Sequence, residues 1–253
     1  MGMKINGLIM TTGLLALLLG CGESSNAGLK NEQDLSDLGY GYNATRNDWP
    51  QIDGNQLKSD HLLAENYFII FDGSGSMAAN ECSGRNTKAR VAISAVNSFV
   101  DQIPSSANVG LLVFDRNGID TRIKLGTQNR SELKEKVRTV NFGGGTPLHT
   151  AISQGLVELE EQASKQLGYG DYNIVIVTDG AASKSESPED LVNSIYKNSP
   201  VAIRTIGFCL GETHSLNQPG ITYYKSADNP ESLREGLASV LAESDSFDVT
   251  SFE

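Results

Sequence analysis

The chain has 253 residues, enough for one substantial domain with a tail and too few for two generous ones. A hydrophobic fraction of 39% and a charged fraction of 20% are those of a globular chain able to fill a core. Acidic residues outnumber basic ones by 31 to 20, and no basic run interrupts that sign; such a surface repels phosphate backbones and argues against nucleic acid as a partner.

Residues 1–20 stand apart. Lys4 supplies their only charge, and Leu8 through Leu19 form an apolar run relieved by Thr11, Thr12 and Gly13. That run is shorter than the roughly 20 residues a permanent membrane helix needs. An apolar segment that ends in a small residue, here Gly20, has the pattern of a signal peptide; the alternative is an uncleaved anchor followed by an incidental cysteine. Leu18-Leu19-Gly20-Cys21 resembles the bacterial lipobox. The resemblance implies that Cys21 becomes the mature N-terminus and carries acyl chains, each buried methylene adding about 0.8 kcal/mol to membrane anchoring. Gly22 stands where inner-membrane retention usually places Asp, which favours the outer membrane of a two-membrane bacterial envelope. Residues 21–65 are polar and rich in Gly, Asn, Ser and Asp, and are expected to tether the domain to the membrane. Their aromatic residues, Trp49 included, are the part most suited to pack on the domain's flank.

From Tyr67 the chain alternates strand and helix. Tyr67–Phe71 is a short continuous apolar run, as in a strand buried on both faces. Residues 88–103 carry Val91, Ala92, Ala95, Val96, Phe99 and Val100 at helical spacing. Strands are expected at 109–114 and 121–125, joined by the turn at Asn117-Gly118. Ser131 opens a short helix, and Thr146-Pro147 a longer one with Pro147 in its first position. Residues 172–177 read as another fully apolar strand, Ser187-Pro188-Glu189-Asp190 as a capped helix start, and 201–209 and 221–225 as strands. Residues 230–242 close the pattern as a helix with Leu233, Leu237, Val240 and Leu241 inward. The expected fold class is α/β: a doubly wound, mostly parallel central sheet with helices on both faces and one antiparallel edge strand. In such sheets ligands gather outside the carboxyl ends of the strands.

Asp72-Gly73-Ser74-Gly75-Ser76 follows the first strand directly, placing three oxygen donors two residues apart. A hard divalent cation takes about six oxygens, so these are half a shell. Phe142-Gly143-Gly144-Gly145-Thr146 puts a threonine hydroxyl at a loop-to-helix junction, and Thr178-Asp179-Gly180 brings a second carboxylate to a strand end. Each piece alone is a helix cap or a turn. In this order, each after the expected element, they resemble the metal-ion-dependent adhesion site of von Willebrand factor A domains.

The resemblance implies a domain over residues 66–247 with a tail at 248–253. It further implies a divalent cation, Mg²⁺ before Mn²⁺ or Ca²⁺, held directly or through water by Asp72, Ser74, Ser76, Thr146 and Asp179. An open coordination position then accepts an acidic side chain from a protein partner. Cys82, in the loop after the motif, and Cys209, at a strand end, both fall near that rim in a parallel topology. A disulfide bracing the loop and two free buried cysteines both remain open. His149 reads as a surface or supporting residue, and His61 and His214 have no partner at metal-ligand spacing.

An enzyme is disfavoured. Haloacid dehalogenase-like phosphatases require a second aspartate where Ser74 stands, and an EF-hand requires glycine where Met77 stands and glutamate where Ser83 stands. A structural or assembly role in an envelope complex, with a metal that serves only the fold, is the remaining alternative.

Overall fold

The computed structural model describes residues 49–52 and 58–242. The apolar N-terminal segment, Cys21 and most of the polar segment, to which the signal peptide, lipid anchor and tether were assigned, lie outside the described residues, as does the C-terminal tail.

Six strands form one sheet in the order β3-β2-β1-β4-β5-β6. They are β1 (Asn66–Asp72), β2 (Asn108–Asp115), β3 (Gly118–Gly126), β4 (Tyr172–Thr178), β5 (Ala202–Phe208) and β6 (Tyr223–Ala227). All neighbouring pairs are parallel except β2 and β3, which form an antiparallel hairpin at one edge. The helices are α1 (Lys88–Gln102), α2 (Arg130–Arg138), α3 (Leu148–Lys165), α4 (Glu189–Asn198) and α5 (Pro230–Ala242).

Every residue of β1, β2 and β4 is buried, which explains why these strands read as near-continuous apolar runs rather than alternating ones. Successive side chains serve opposite cores. Tyr67, Ile69 and Phe71 join α1, α2 and α5 on one face, whereas Phe68 and Ile70 join α3 and α4 on the other. Edge strand β3 buries only Ile123 fully and therefore carries polar residues on its outer face. Its turn is made possible by Gly118, whose φ of 109° is unfavourable for any residue with a β-carbon.

The helix boundaries differ from expectation at two starts. Pro147 and Pro188 stand at the cap positions of α3 and α4, one residue before the first helical turn, and neither end receives a side-chain cap from the cap residue. The start of α3 is held from outside instead. Glu186 accepts the amide of Thr150 at Oε2 (2.9 Å) and its hydroxyl at Oε1 (3.0 Å). At α5, the Asn229 side chain accepts the amides of Glu231 and Ser232, both at 2.9 Å, ahead of a proline in the first helical position.

Trp49 packs edge-on against Tyr172 with ring centroids 4.9 Å apart, and its indole N–H donates to Glu160 Oε1. The segment before β1 thus touches the flank of the domain at this aromatic residue.

Candidate metal centre

Parallel pairing of β1 with β4 brings Asp72, the last residue of β1, beside the end of β4 and its Thr178-Asp179-Gly180 turn. Ser74 and Ser76 follow on a short 3-10 turn over Gly75–Ala78, anchored by the buried Met77. The glycine loop 143–145 docks on this turn through two backbone hydrogen bonds, Gly143 N–H to Gly73 O (2.8 Å) and Gly75 N–H to Gly144 O (3.3 Å).

The two glycine spacers are unequal. A β-carbon on Gly73 would lie 2.7 Å from Phe114 O and 2.7 Å from Val140 Cγ1, so only glycine lets the motif cross the end of β2. Gly75 has no neighbour closer than 3.8 Å and is not demanded by space. Gly144 holds a φ of 82°, which lets the loop turn Thr146 inward.

The four donors from the first and third segments form a continuous chain of hydrogen bonds. Asp72 Oδ1 accepts the Ser74 amide at 2.7 Å, and Asp72 Oδ2 accepts the Thr178 hydroxyl at 2.6 Å. Ser76 donates its hydroxyl to Asp179 Oδ1 at 2.7 Å. The Ser76 hydrogen being used there, the 3.0 Å contact between the two serine hydroxyls has Ser74 as donor. Asp179 Oδ2 accepts from the Lys88 ammonium at 2.8 Å. Thr146 approaches from the third side: a β-carbon on Gly180 would lie 3.3 Å from Thr146 Oγ1 and 3.7 Å from Ser76 Oγ. Glycine at 180 therefore keeps the space between those hydroxyls clear.

Asp72, Ser74, Thr146 and Asp179 are buried, and Ser76 is exposed, so the cluster opens to solvent at one point. Burial pushes the Asp72 carboxyl up to about 6; bonds from Ser74 and Thr178 oppose the shift, and the Asp179 charge adds to it. A buried carboxylate raised by desolvation and by a like charge is relieved by a cation. The donors are all oxygen, as Mg²⁺, Mn²⁺ and Ca²⁺ prefer. Among the described residues no group of three His, Cys, Asp or Glu side chains could hold a metal ion. The candidate set has only two carboxylates and takes its other three donors from hydroxyls. The five residues singled out from the sequence thus lie on one rim, and their chemistry fits a hard divalent ion.

Other residues shape this rim without having been singled out. Thr178 was legible only as a neighbour of Asp179. Lys88 lies far along the chain at the start of α1 and gave no signal. Ser183 accepts the Thr146 amide at its hydroxyl (2.8 Å) and donates its own amide to Thr146 O (2.9 Å), locking the loop after β4 to the loop before α3. His149 is exposed on the surface. His214 touches the rim from the β5–β6 loop. Its Nδ1 accepts the Leu216 amide at 3.1 Å, which leaves Nε2 to carry the proton and donate to Gly180 O at 3.0 Å. Cys82 and Cys209 are joined in a disulfide with Cα atoms 5.7 Å apart, tying the loop that follows the serine motif to the end of β5.

A model of the von Willebrand factor type A domain matches residues 67–253, about three quarters of the chain. The chain belongs to the von Willebrand factor type A family. An uncharacterized protein of Borreliella burgdorferi is 26% identical over 164 residues, covering 64% of this chain. The match spans 46% of that relative's length, a little under half of it.

Solved structures share the fold at low identity. BatB, a conserved hypothetical protein of Bacteroides thetaiotaomicron, superposes with a TM-score of 0.55 at 15% identity, covering 71% of this chain and 100% of that one. A von Willebrand factor type A structure from Catenulispora acidiphila gives 0.58 at 19%, covering 72% and 43%. The pilus adhesin SpaC of Lactobacillus rhamnosus GG gives 0.56 at 16%, covering 74% and 31%. Domains of this family are in general interaction and adhesion modules, and the six-stranded sheet with one antiparallel edge is their fold.

Proposed function

We propose that this chain is a lipid-anchored envelope protein that binds a protein partner through a divalent cation held by Asp72, Ser74, Ser76, Thr146 and Asp179. The observation that carries this reading is the convergence of those five residues, from three separated segments, on one solvent-open point at the carboxyl edge of the sheet. The bound ion would supply an electrophilic position that a partner's carboxylate can complete. Ser74 and Ser76 offer neutral donors, which keeps the ligand charge low. Asp72 and Asp179 bring the negative charge that retains the cation. Thr178, Ser183 and the glycine loop orient these donors.

Mg²⁺ is the favoured ion, with Mn²⁺ and Ca²⁺ as alternatives. The Cys82–Cys209 disulfide supports an oxidising compartment, as expected outside the cytoplasm. The lipobox-like Leu18–Cys21 supports anchoring through Cys21, and Gly22 the outer membrane. No helix among the described residues is long and apolar enough to cross a membrane.

The test is calorimetric titration of the full chain with Mg²⁺, Mn²⁺ and Ca²⁺, beside Asp72→Ala and Asp179→Ala. Saturable binding in the wild type, lost in both variants that still fold, is the expected result. Binding that persists in both variants, or a folded wild type that takes up no ion, overturns the proposal.

A further inference from the structure

Lys88 is buried beside the candidate centre, an unusual place for an ammonium group. It is the first residue of α1, where Thr87 caps the helix by accepting the Arg90 amide, and its own amide donates to Ala79 O at 2.8 Å. The backbone is therefore fixed on both sides, and the side chain is 9% exposed. Its Nζ sits 2.8 Å from Asp179 Oδ2, with Glu81 Oε2 farther away at 3.7 Å on the solvent side.

We propose that Lys88 determines which divalent cation this centre accepts, by occupying one oxygen of Asp179 and so limiting that carboxylate to a single metal contact. This inference rests on the reading of the site given above. Ca²⁺ takes six to eight oxygens and commonly draws two of them from one carboxylate, whereas Mg²⁺ takes six in a tight octahedron. A neutral donor leaves a carboxylate oxygen a second lone pair for an ion, but the charge of the ammonium repels a cation from Oδ2, so Asp179 meets an ion through Oδ1, the oxygen bonded to Ser76. Asp72 is bonded by neutral donors alone, its Oδ2 by the Thr178 hydroxyl and its Oδ1 by the Ser74 amide, and these fix its orientation. Asp179 cannot offer two oxygens without displacing the buried ammonium. Five residues giving one oxygen each, with one position left for water or a partner, make a shell of six. That number is the octahedron of Mg²⁺ and the low end of the range that Ca²⁺ takes.

The ammonium also repels any cation, so its removal strengthens binding of both ions. The ratio of the two affinities separates selectivity from that general effect. The experiment is titration of the full chain with Mg²⁺ and with Ca²⁺ in the wild type, Lys88→Met and Lys88→Arg, with circular dichroism confirming the fold. The wild type should prefer Mg²⁺. In K88M the affinity ratio should move towards Ca²⁺ by about tenfold or more, corresponding to about 1.4 kcal/mol. K88R, which keeps a donor on Oδ2, should hold the wild-type ratio. A wild type that prefers Ca²⁺, or a K88M ratio unchanged while both ions still bind, overturns the role of Lys88 and leaves the site intact. A wild type that binds neither ion overturns the site itself and this inference with it.

If K88M does not fold, infrared difference spectra of the wild type with Ca²⁺ decide the matter, using D179N to identify the Asp179 bands. The carboxylate stretches should show the wide splitting of single-oxygen coordination, and the narrow splitting of two-oxygen coordination would overturn the proposal.

Discussion

Asp115, at the end of β2, is the residue whose removal should most clearly separate scaffold from site. Its carboxylate accepts the Asn117 amide at Oδ1 (2.8 Å), and at Oδ2 the Asn141 amide (2.9 Å) and the Arg122 guanidinium (2.5 Å). These bonds join the β2–β3 hairpin to the segment that leads into the glycine loop. The Asp115 and Arg122 side chains are 0% and 12% exposed, so solvent screens the pair little. Asp115→Asn keeps the shape and removes the charge and one acceptor. Breaking a buried pair by neutralising one partner costs about 3–5 kcal/mol, and retention of Oδ1 as an acceptor places the expected loss near the low end, about 3 kcal/mol at pH 7. In a domain of this size that lowers Tm by roughly 6–12 °C.

The loss should depend on pH with a definite sign. Burial pushes the Asp115 carboxyl up, but the Asn141 and Asn117 amides and the Arg122 guanidinium outweigh it and hold the group below its ordinary value of 3.8. A carboxyl whose folded pKa lies below its unfolded one contributes stability that is complete above 3.8 and is lost as pH falls through the folded value. The gap between wild type and D115N should therefore be constant from neutral pH down to about 5 and shrink below 3.8. Urea melts of both proteins, followed by circular dichroism from pH 7 to pH 3, measure the gap directly. A gap under about 0.5 kcal/mol at pH 7, the range of ordinary surface substitutions, would refute the reasoning. So would a gap that does not narrow in acid.

Three further outcomes follow from the same geometry. Gly73→Ala drives a β-carbon against Phe114 O and Val140 Cγ1 and should cost about 1–3 kcal/mol in a denaturant melt, with cation binding weakened as the serine turn is displaced; Gly75→Ala, with open space around it, should cost less. Thr178→Val removes the hydroxyl that satisfies the buried Asp72 Oδ2 and should lower unfolding free energy by about 1–3 kcal/mol, whereas the surface change His149→Ala should stay within about 0.5 kcal/mol. Replacing Cys82 and Cys209 together by alanine opens a covalent loop with a sequence separation of 127 and should cost about 2–5 kcal/mol, an effect that wild-type protein melted in reducing agent should reproduce.

Much of this protein was already determined by local patterns. The apolar runs at 67–71, 109–114 and 172–177, the last broken by Asn173, fit strands buried on both faces, and a sheet of such strands has to be covered by helices on both sides. Asn117-Gly118 marked the β2–β3 hairpin, and hence the antiparallel edge strand, because its tight turn favours residues that tolerate positive φ. The five candidate donors were legible because each follows a recognisable strand end or glycine loop, and the carboxyl edge of a parallel sheet gathers such ends.

Tertiary structure alone decided the rest. Whether Cys82 and Cys209 pair depends on a Cα separation that no spacing of 127 residues encodes. The need for glycine at 73 but not at 75 arises from the carbonyl of Phe114, a neighbour more than forty residues away. The roles of Thr178 and Lys88 depend on which oxygen of which carboxylate each one reaches. A lysine at the start of a helix is an ordinary solvated residue in sequence; it becomes a partner of Asp179 only because α1 packs that end of the helix against the rim. Periodicity reports which way a side chain faces, and the approach of distant segments fixes what it meets there.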